Sequence, residues 1–285
     1  MRYLVTGANG FIGREVIKHL RGEVRCLTHK EFLTDHPKNI VHFKGNLSDR
    51  QSLDQAVEGV DVIIHLAAIT RSKNKQDYFL INTLGTKNLL ESAEKAHVKR
   101  FIHISTWALD PRGGAYSVSK LKAEEEVRKH KNWVIIRPAD VYGDQGWLKT
   151  LVKFIEKSPL VPIIGDGKQL VSPVFVEDVA KAISASSLKK TLYKNYTLCG
   201  PELLKFDEMT KKISQFLKLK RRIIYVPKRP VILFAKLMSL AGFPNIEEMV
   251  RRQLSFKYYK SENNPKELSF NPINFEKGLT RVLSS

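Results

Sequence analysis

The sequence contains little cysteine and no metal-ligand motif. Its two cysteines, Cys26 and Cys199, lie far apart in apolar runs, which argues against a disulfide framework and indicates the buried, reduced thiols of a cytoplasmic protein. The eight histidines show no metal-ligand spacing, so we expect no metal site. Because the chain enters an apolar strand at once, we also expect no signal peptide.

No apolar run is long enough to cross a bilayer. The most apolar stretch, residues 231–241, falls short of the about 20 residues that a spanning helix needs, and Lys236 interrupts it. We expect it to form a helix that packs inside a smaller lobe. The alternative is an interfacial membrane helix, flanked by Lys228 and Arg229.

Acidic residues are scarce relative to basic ones. There are 29 of the former and 48 of the latter, which gives a formal net charge of +19. The densest basic cluster, residues 218–222, has no interleaved aromatic residues of the kind that stack on bases, so we expect no nucleic-acid partner. The charge indicates a solvated basic face, or attraction to a phosphorylated ligand or an acidic surface.

Apolar strands alternate with helical patterns through the first half of the chain. The predicted strands are residues 3–6, 24–28, 40–43, 60–66, 100–105 and 133–137, and the predicted helices are 13–20, 49–57, 77–96 and 115–129. This alternation predicts an α/β fold with a Rossmann-type, doubly wound parallel sheet covered by helices on both faces. We expect a dinucleotide-binding domain over residues 1–170, to which 171–187 returns, and a smaller C-terminal substrate lobe over 188–285.

Three glycines form a turn between the first strand and the first helix. Gly7, Gly10 and Gly13 have the spacing G-x-x-G-x-x-G. The first permits a sharp turn, the second lets the backbone approach a diphosphate, and the third lets the helix pack on the strand. The helix start then offers unpaired N–H groups and a positive dipole end to the anion. The segment therefore predicts a cradle for the diphosphate of a dinucleotide cofactor.

Tyr116 and Lys120 lie four residues apart in a predicted helix, so their side chains share one face. A free tyrosine has a pKa of about 10, and a neighbouring cation favours the phenolate. The pair therefore predicts an acid or base that exchanges a proton with a hydroxyl or carbonyl while hydride moves to or from a nicotinamide.

The segment TGANGFIG resembles the short-chain dehydrogenase/reductase superfamily, and more closely its extended epimerase/dehydratase branch. Other segments match that family in the expected order. They are residues 65–68 beneath the cofactor, Asn82 in support of the active-site helix, 137–143 at the nicotinamide end, the return segment 172–180 and the closing segment 270–279. The resemblance implies that Lys120 also holds the nicotinamide ribose. It further implies that a strand-end hydroxyl, Thr106 with Ser105 as the alternative, bonds the reacting oxygen.

The resemblance also implies which residues bind the cofactor. They are Gly7, Asn9, Gly10, Phe11, Ile12, Gly13, Arg14, His29, Lys30, Asn46, Leu47, Leu66, Ala67, Ala68, Asn82, Tyr116, Lys120, Pro138, Ala139 and Val141. The second strand ends without the acid that would bind the ribose hydroxyls of NAD, and Arg14 and Lys30 are suited to pair with a 2′-phosphate. We therefore expect NADP, with NAD as the alternative. Asn46 stands where the family has an aspartate that faces adenine.

The motifs support two functions of different classes. The first is an NAD(P)-dependent oxidoreductase, epimerase or dehydratase that acts on a hydroxyl or carbonyl of a small molecule, a nucleotide-sugar by resemblance, as a homodimer. The second is a non-catalytic NADPH-binding accessory or assembly protein of a membrane respiratory complex, similar to the nucleotide-binding accessory subunit of complex I. The short interval from Thr106 to Tyr116 and the apolar run 231–241 favour the second. Intact Tyr116 and Lys120 favour the first.

Overall fold

The computed structural model describes residues 1–29, 37, 39–188, 191–240, 245–254 and 262–284. The strands within these ranges are numbered in chain order. They are β1 (Arg2–Thr6), β2 (Glu23–Thr28), β3 (Ile40–Lys44), β4 (Val62–His65), β5 (Arg100–Ile104), β6 (Trp133–Pro138), β7 (Asp140–Tyr142), β8 (Leu160–Ile164), β9 (Leu170–Val171), β10 (Pro173–Phe175), β11 (Lys194–Leu198), β12 (Leu204–Lys205) and β13 (Arg222–Val226).

A seven-stranded parallel sheet lies at the centre of the chain, in the order β11-β6-β5-β4-β1-β2-β3. The predicted Rossmann-type fold class is confirmed. The order of the strands reverses between β1 and β4, so the carboxyl ends of these two strands open onto the crevice where such folds bind ligands. β11, which falls in the predicted smaller lobe, completes the sheet by pairing with β6.

Helices follow most of the strands. They are α1 (Phe11–Lys18), α2 (Arg50–Val57), α3 (Lys75–Tyr78), α4 (Gly85–Lys95), α5 (Ala115–Arg128), α6 (Trp147–Lys157), α7 (Val176–Leu188), α8 (Phe206–Phe216), α9 (Lys228–Leu240), α10 (Asn245–Leu254) and α11 (Phe275–Leu283). A π-helical segment, Phe79–Leu84, joins α3 to α4, so the predicted helix 77–96 consists of three segments. Within the described ranges, no helix combines the length and the apolar character that crossing a bilayer requires.

Alternate residues of the sheet pack against helices on its two faces. Val5 belongs to a buried cluster with Val16 of α1 and Ile183 of α7. Its neighbour Leu4 belongs to a second cluster with Leu53 of α2. The strands are apolar throughout because both of their faces are covered, as expected for a parallel sheet.

A third buried cluster forms the core of a smaller lobe. It combines Leu148 and Ile155 of α6 with Met209 of α8 and Leu279 of α11. Two short strand pairs, β8 with β13 and β9 with β12, belong to the same part of the chain. The lobe core therefore draws on residues from both sides of β11 in sequence, and the predicted domain boundaries stay a prediction.

Candidate active site

The glycine turn after β1 is packed too tightly for side chains. Gly7 has a φ of +72°, and a Cβ there would lie 2.6 Å from the amide nitrogen of Ala67, which follows β4. A Cβ at Gly13 would lie 2.2 Å from the carbonyl oxygen of Gly7. The Gly10 N–H donates to that same oxygen at 2.9 Å. Backbone contacts therefore require glycine at positions 7 and 13.

The N-terminus of α1 lies at this turn, beside the crevice between β1 and β4. Gly10 is the N-cap, and no side chain among the described residues caps it. The first helical turn, which begins with Phe11 and Ile12, has no acidic residue. Nearby, the Arg14 Nε donates to the carbonyl oxygen of Asn9 at 2.9 Å. Uncapped N–H groups, a positive dipole end and a guanidinium together fit the diphosphate of a dinucleotide.

The predicted residues at the adenosine end lie in the loops after β2 and β3. His29 follows β2 and is exposed, whereas Lys30 lies outside the described residues. Asn46 accepts a hydrogen bond from the Ser48 N–H at 2.8 Å through its side-chain oxygen. Leu47 is buried. The preference for NADP over NAD therefore stays a prediction.

The segment after β4 is fixed to the end of β1. The Leu66 N–H donates to the Thr6 carbonyl oxygen at 3.0 Å, and the Ala67 N–H donates to the Thr6 hydroxyl oxygen at 3.2 Å. Leu66, Ala67 and Ala68 are half-buried. The structure thus brings these predicted residues against the glycine turn, as shown by the short approach to Gly7.

Asn82 lies in the π-helical segment and connects the loop after β4 to α5. Its side-chain oxygen accepts from the Ile69 N–H at 2.8 Å. Its amide group donates to the Ile69 carbonyl oxygen at 3.1 Å and to the Ser119 hydroxyl at 3.0 Å. Since both amide N–H groups are used within the protein, Asn82 positions the helix that carries Tyr116 and Lys120.

Tyr116 and Lys120 lie on successive turns at the start of α5. The Tyr116 ring is 9 % exposed and packs edge-on against Tyr78, with 6.4 Å between the ring centroids. Lys120 is 2 % exposed, and its Nζ donates to the carbonyl oxygen of Ile104 at 2.7 Å. This hydrogen bond joins α5 to the carboxyl end of β5.

Two buried histidines lie beneath this pair. His103 is a partner of Lys120, with 3.3 Å between Nε2 and Nζ, and burial followed by the charge of Lys120 holds the pKa of His103 well below its ordinary value. His65 bonds the hydroxyls of Thr6 and Thr86 at 2.7 and 2.9 Å, and burial followed by the same charge lowers its pKa to about 3. Both rings are therefore neutral. The sequence indicates core histidines, and the contact between His103 and Lys120 becomes visible only in the fold.

Burial lowers the pKa of Lys120 to about 8, and the carboxylate of Glu124 opposes the shift from one turn further along α5. The amine therefore remains largely protonated at neutral pH. Its protonated form is nevertheless less favoured than that of an exposed lysine.

Replacing Lys120 with methionine is expected to stabilise the apoprotein near neutral pH. The pKa of Lys120 is about 8 in the folded protein against an ordinary value of 10.5, so between these values the unfolded chain binds more protons and wild-type stability rises with pH. Wild-type stability is expected to rise by up to about 3 kcal/mol between neutral pH and about pH 10, and the variant is expected to lose this slope. Urea denaturation at neutral pH and at about pH 10 measures both effects. Lys122→Met, at an exposed position of the same helix, is the control; a Lys120→Met variant that keeps the wild-type slope would contradict this account.

Ser105 and Thr106 follow β5 and have different surroundings. Ser105 is 8 % exposed, its N–H donates to the Ile136 carbonyl oxygen at 2.7 Å, and its buried hydroxyl has no hydrogen-bond partner among the described residues. Thr106 is half-buried, and its hydroxyl oxygen accepts from the Ala108 N–H at 3.2 Å. That acceptor role leaves the O–H of Thr106 as a donor. Thr106 is thus the more accessible of the two predicted hydroxyls.

The loop after β6 lies beside the segment that follows β5. The carbonyl oxygen of Pro138 accepts from the N–H of Trp107 at 3.2 Å, and the Trp107 side chain is buried. The Ala139 N–H donates to the Leu198 carbonyl oxygen at 3.0 Å, and the Val141 N–H donates to Ala139 at 3.0 Å. The predicted nicotinamide-end residues therefore lie at the carboxyl end of the sheet, next to Thr106 in the neighbouring strand connection.

Arg137 forms a buried ion pair that the sequence analysis missed. Its Nε and Nη2 donate to the Glu124 carboxylate at 2.9 and 2.7 Å, and its Nη1 donates to Glu262 at 2.8 Å. Arg128 also donates to Glu124, at 2.9 Å. Burial alone would raise the pKa of Glu124, but the hydrogen bonds and charge of Arg137 outweigh it and hold that pKa below its ordinary value.

These features define a protein with a Rossmann-type site suited to a nicotinamide dinucleotide. Residues 3–198 match the model of the NAD dependent epimerase/dehydratase family, and the chain belongs to this family. The predicted family, enzyme class and nicotinamide cofactor are thereby confirmed.

Known proteins similar to this chain include enzymes and a respiratory-chain subunit. Ceramide reductase of Caulobacter vibrioides is 28% identical over 64% of this chain, and the match spans 59% of that enzyme. The mouse protein named NADH dehydrogenase [ubiquinone] 1 alpha subcomplex subunit 9 is 26% identical over 93% of this chain and 73% of its own length. The solved structure of a Bacillus cereus UDP-glucuronic acid 4-epimerase with UDP-glucuronic acid and NAD has a TM-score of 0.79, covering 100% of this chain and 98% of that one at 20% identity. At that identity the likeness shows the fold alone.

Proposed function

We propose that the protein interconverts a hydroxyl and a carbonyl on a small-molecule substrate, with Tyr116 as the group that gives or takes the proton. The observation that carries this proposal is the meeting of the start of α5 with the end of β5, held by the bond from Lys120 to the Ile104 carbonyl at 2.7 Å. It brings an acid or base, a cation and the hydroxyl of Thr106 to the edge of the sheet where the glycine turn also lies.

The cofactor fits the residues around the crevice. The glycine turn and the uncapped start of α1 would hold its diphosphate, while residues 66–68 and 138–141 would border the rest. When bound, the nicotinamide supplies the acceptor or donor of hydride. We propose NADP as the preferred form, since the side chain of Arg14 lies at the glycine turn.

The residues around the reacting oxygen have separate tasks. Thr106 donates its O–H to that oxygen, and Tyr116 exchanges a proton with it. The positive charge of Lys120 favours the phenolate form of Tyr116. His103 and the Ile104 carbonyl accept from the Lys120 amine and so fix its place. Asn82 fixes α5 through Ser119.

Two substrate classes have an observation in their favour. A nucleotide-sugar is the class predicted by resemblance, and the solved epimerase structure of the same fold holds UDP-glucuronic acid. A lipid-like alcohol or ketone is the class indicated by the name of the ceramide reductase. The chemistry at the reacting carbon is the same in both, so the smaller lobe must distinguish them. A homodimer is proposed as well, supported by the exposed side chains of Leu80 and Leu84 on the π-helical segment.

A non-catalytic accessory protein of a membrane respiratory complex is the second candidate. The complex I subunit from mouse favours it, because the similarity covers 93% of this chain and 73% of that subunit. Such a protein would use the glycine turn to hold NADPH and would have no need for Tyr116 to reach a substrate. A cytoplasmic location, predicted from the sequence, is compatible with either candidate.

Turnover assays separate the two candidates. We expect the purified full chain to bind NADPH more tightly than NADH in calorimetry, and to consume one of them with a member of two substrate panels. One panel holds nucleotide-sugars and their keto forms, and the other holds long-chain and steroid alcohols and ketones. Loss of NADPH absorbance reports the reduction of a carbonyl, and formation of NADPH from NADP⁺ reports the oxidation of a hydroxyl. Chromatography of the products reports an epimerisation, which regenerates the cofactor. Tight cofactor binding without turnover on either panel would reject the oxidoreductase and favour the accessory protein.

A further inference from the structure

Helix α9 turns a stripe of apolar side chains towards solvent. Pro230, Leu233, Phe234 and Leu237 recur at the spacing i, i+3, i+4, i+7, which places them on one face of the helix. Leu233 and Phe234 are each 60% exposed, and Leu237 is 56% exposed. These four residues are named the α9 stripe. Exposed apolar surface concentrated in this way marks an interaction site.

The opposite side of α9 already serves the packing of the lobe. Ala235 is 1% exposed, and Val231 and Met238 are half-buried at the spacing i, i+4, i+7. α9 packs against α10. The helix therefore has two apolar sides. The side with Ala235 packs in the lobe as predicted, while Leu233, Phe234 and Leu237 of the α9 stripe lie on another, largely exposed side that faces solvent.

Every charged residue of α9 is basic. Lys228, Arg229 and Lys236 are exposed, and the helix contains no acidic residue. Arg229 and Lys236 are seven positions apart and therefore lie along one line beside the α9 stripe. Leucine and phenylalanine next to a line of lysine and arginine are typical of helices that lie in the interfacial plane of a bilayer.

The strand pair that leads into α9 also exposes apolar and basic side chains. α9 follows β13 directly, and β13 pairs in parallel with β8. Leu160 of β8 is 45% exposed and Ile224 of β13 is 41% exposed, while Arg222 at the start of β13 is an exposed cation. Exposed apolar groups and a cation thus also occur on the strand pair beside α9, together with Asp207, which accepts a hydrogen bond from the Tyr225 hydroxyl of β13 at 3.0 Å. The chain as a whole has a net charge of +19.

We propose that α9 docks the protein onto the surface of an anionic lipid bilayer. The α9 stripe would enter the boundary between headgroups and acyl chains, and Arg229 and Lys236 would meet the anionic headgroups. A second copy of this chain is a poorer occupant, because a two-fold contact through the α9 stripe brings the cations of both copies together. The proposal concerns the smaller lobe and does not depend on which reaction the crevice performs.

Vesicle flotation of the full chain tests the proposal. The probes are phosphatidylcholine vesicles with about 30% phosphatidylserine and vesicles of phosphatidylcholine alone. We expect binding to the anionic vesicles that is about tenfold or more tighter than to the neutral ones. Leu233→Ser combined with Phe234→Ser is expected to weaken binding by about tenfold or more, because two side chains no longer enter the bilayer. Arg229→Gln combined with Lys236→Gln is expected to lose about fivefold per cation.

Matched variants outside α9 control for the general loss of apolar surface. Val41→Ser combined with Leu188→Ser changes residues that are 49% and 68% exposed, and we expect vesicle binding to stay at the wild-type level. Thermal melting shows that each variant is folded. Wild-type protein that binds neither vesicle would overturn the proposal. Binding that needs Arg229 and Lys236 but tolerates the Leu233 and Phe234 changes would also overturn it, and would indicate an acidic protein partner.

Discussion

Replacing Tyr116 with phenylalanine is expected to lower kcat by about 10²- to 10⁴-fold, the range for loss of a positioned acid or base. The Tyr116 ring is 9% exposed and packs against Tyr78, so removal of the hydroxyl alone should leave the packing of α5 intact. The Kd for NADPH should change little, because the glycine turn and the start of α1 are untouched. Stopped-flow or steady-state kinetics on the substrate found in the panels, with calorimetry on the same preparation, measure both quantities.

Tyr193→Phe is the matched control for this variant, since Tyr193 is 54% exposed and lies before β11 rather than at the crevice. We expect its kcat to equal that of the wild type. If Tyr116→Phe kept full turnover with an intact Kd, the proton would have to come from another group, and the proposed role of Tyr116 would be rejected.

Replacing Arg137 with methionine is expected to lower the free energy of unfolding by about 3–5 kcal/mol, the usual effect of removing one partner from a buried ion pair. The Arg137 guanidinium donates twice to Glu124, at 2.9 and 2.7 Å, and the side chains of both residues are almost fully buried. After the change, Glu124 would keep only its bond to Arg128, and its charge would lie in a poorly solvated site. Urea or thermal denaturation measures the difference.

Two further variants show whether the effect comes from burial of charge. Combining Arg137→Met with Glu124→Leu removes both charges, and we expect it to recover much of the lost stability. Arg281→Met breaks a pair with Glu177 at 2.8 Å in which Arg281 is 52% exposed, and should cost no more than about 1 kcal/mol. Equal losses for the buried and the exposed arginine would contradict the assignment of the effect to desolvation.

The central sheet could be predicted from the sequence because its strands are apolar on both faces. The predicted strand 24–28 corresponds to β2 (Glu23–Thr28), and the predicted strand 133–137 corresponds to β6 (Trp133–Pro138). Continuous apolar runs separated by helical patterns leave few other arrangements. The glycine turn could also be predicted from the sequence, because backbone contacts require glycine at positions 7 and 13.

The π-helical segment could not be predicted from periodicity. Its residues continue the pattern of a longer helix, and the change of hydrogen-bond register at Phe79–Leu84 has no signature in spacing. The reason for it becomes visible in three dimensions, where Asn82 bonds both Ile69 and Ser119. Such a local irregularity often lies at a functional site, and here it lies beneath α5, which carries the proposed catalytic pair.

The environment of Lys120 was only partly predictable. Its four-residue spacing from Tyr116 predicted that both side chains lie on one face of a helix. The burial that lowers the pKa of Lys120 to about 8 depends on contacts with β5, including His103. The pair of Arg137 with Glu124 joins a strand to the helix before it, and nothing in the local sequence of either element requires it. These contacts join residues of different strands and helices, so the pattern within a single segment does not predict them.

The pairing of Arg137 has a consequence for synthesis on the ribosome. Glu262, its second carboxylate partner, lies 125 residues further along the chain. Until that residue emerges, Glu124 alone must balance two guanidinium groups, those of Arg128 and Arg137. A chain that lacks Glu262 would therefore hold one carboxylate against two guanidinium groups at this site. Arg137 thus gains its second carboxylate partner only after the segment with Glu262 has been made.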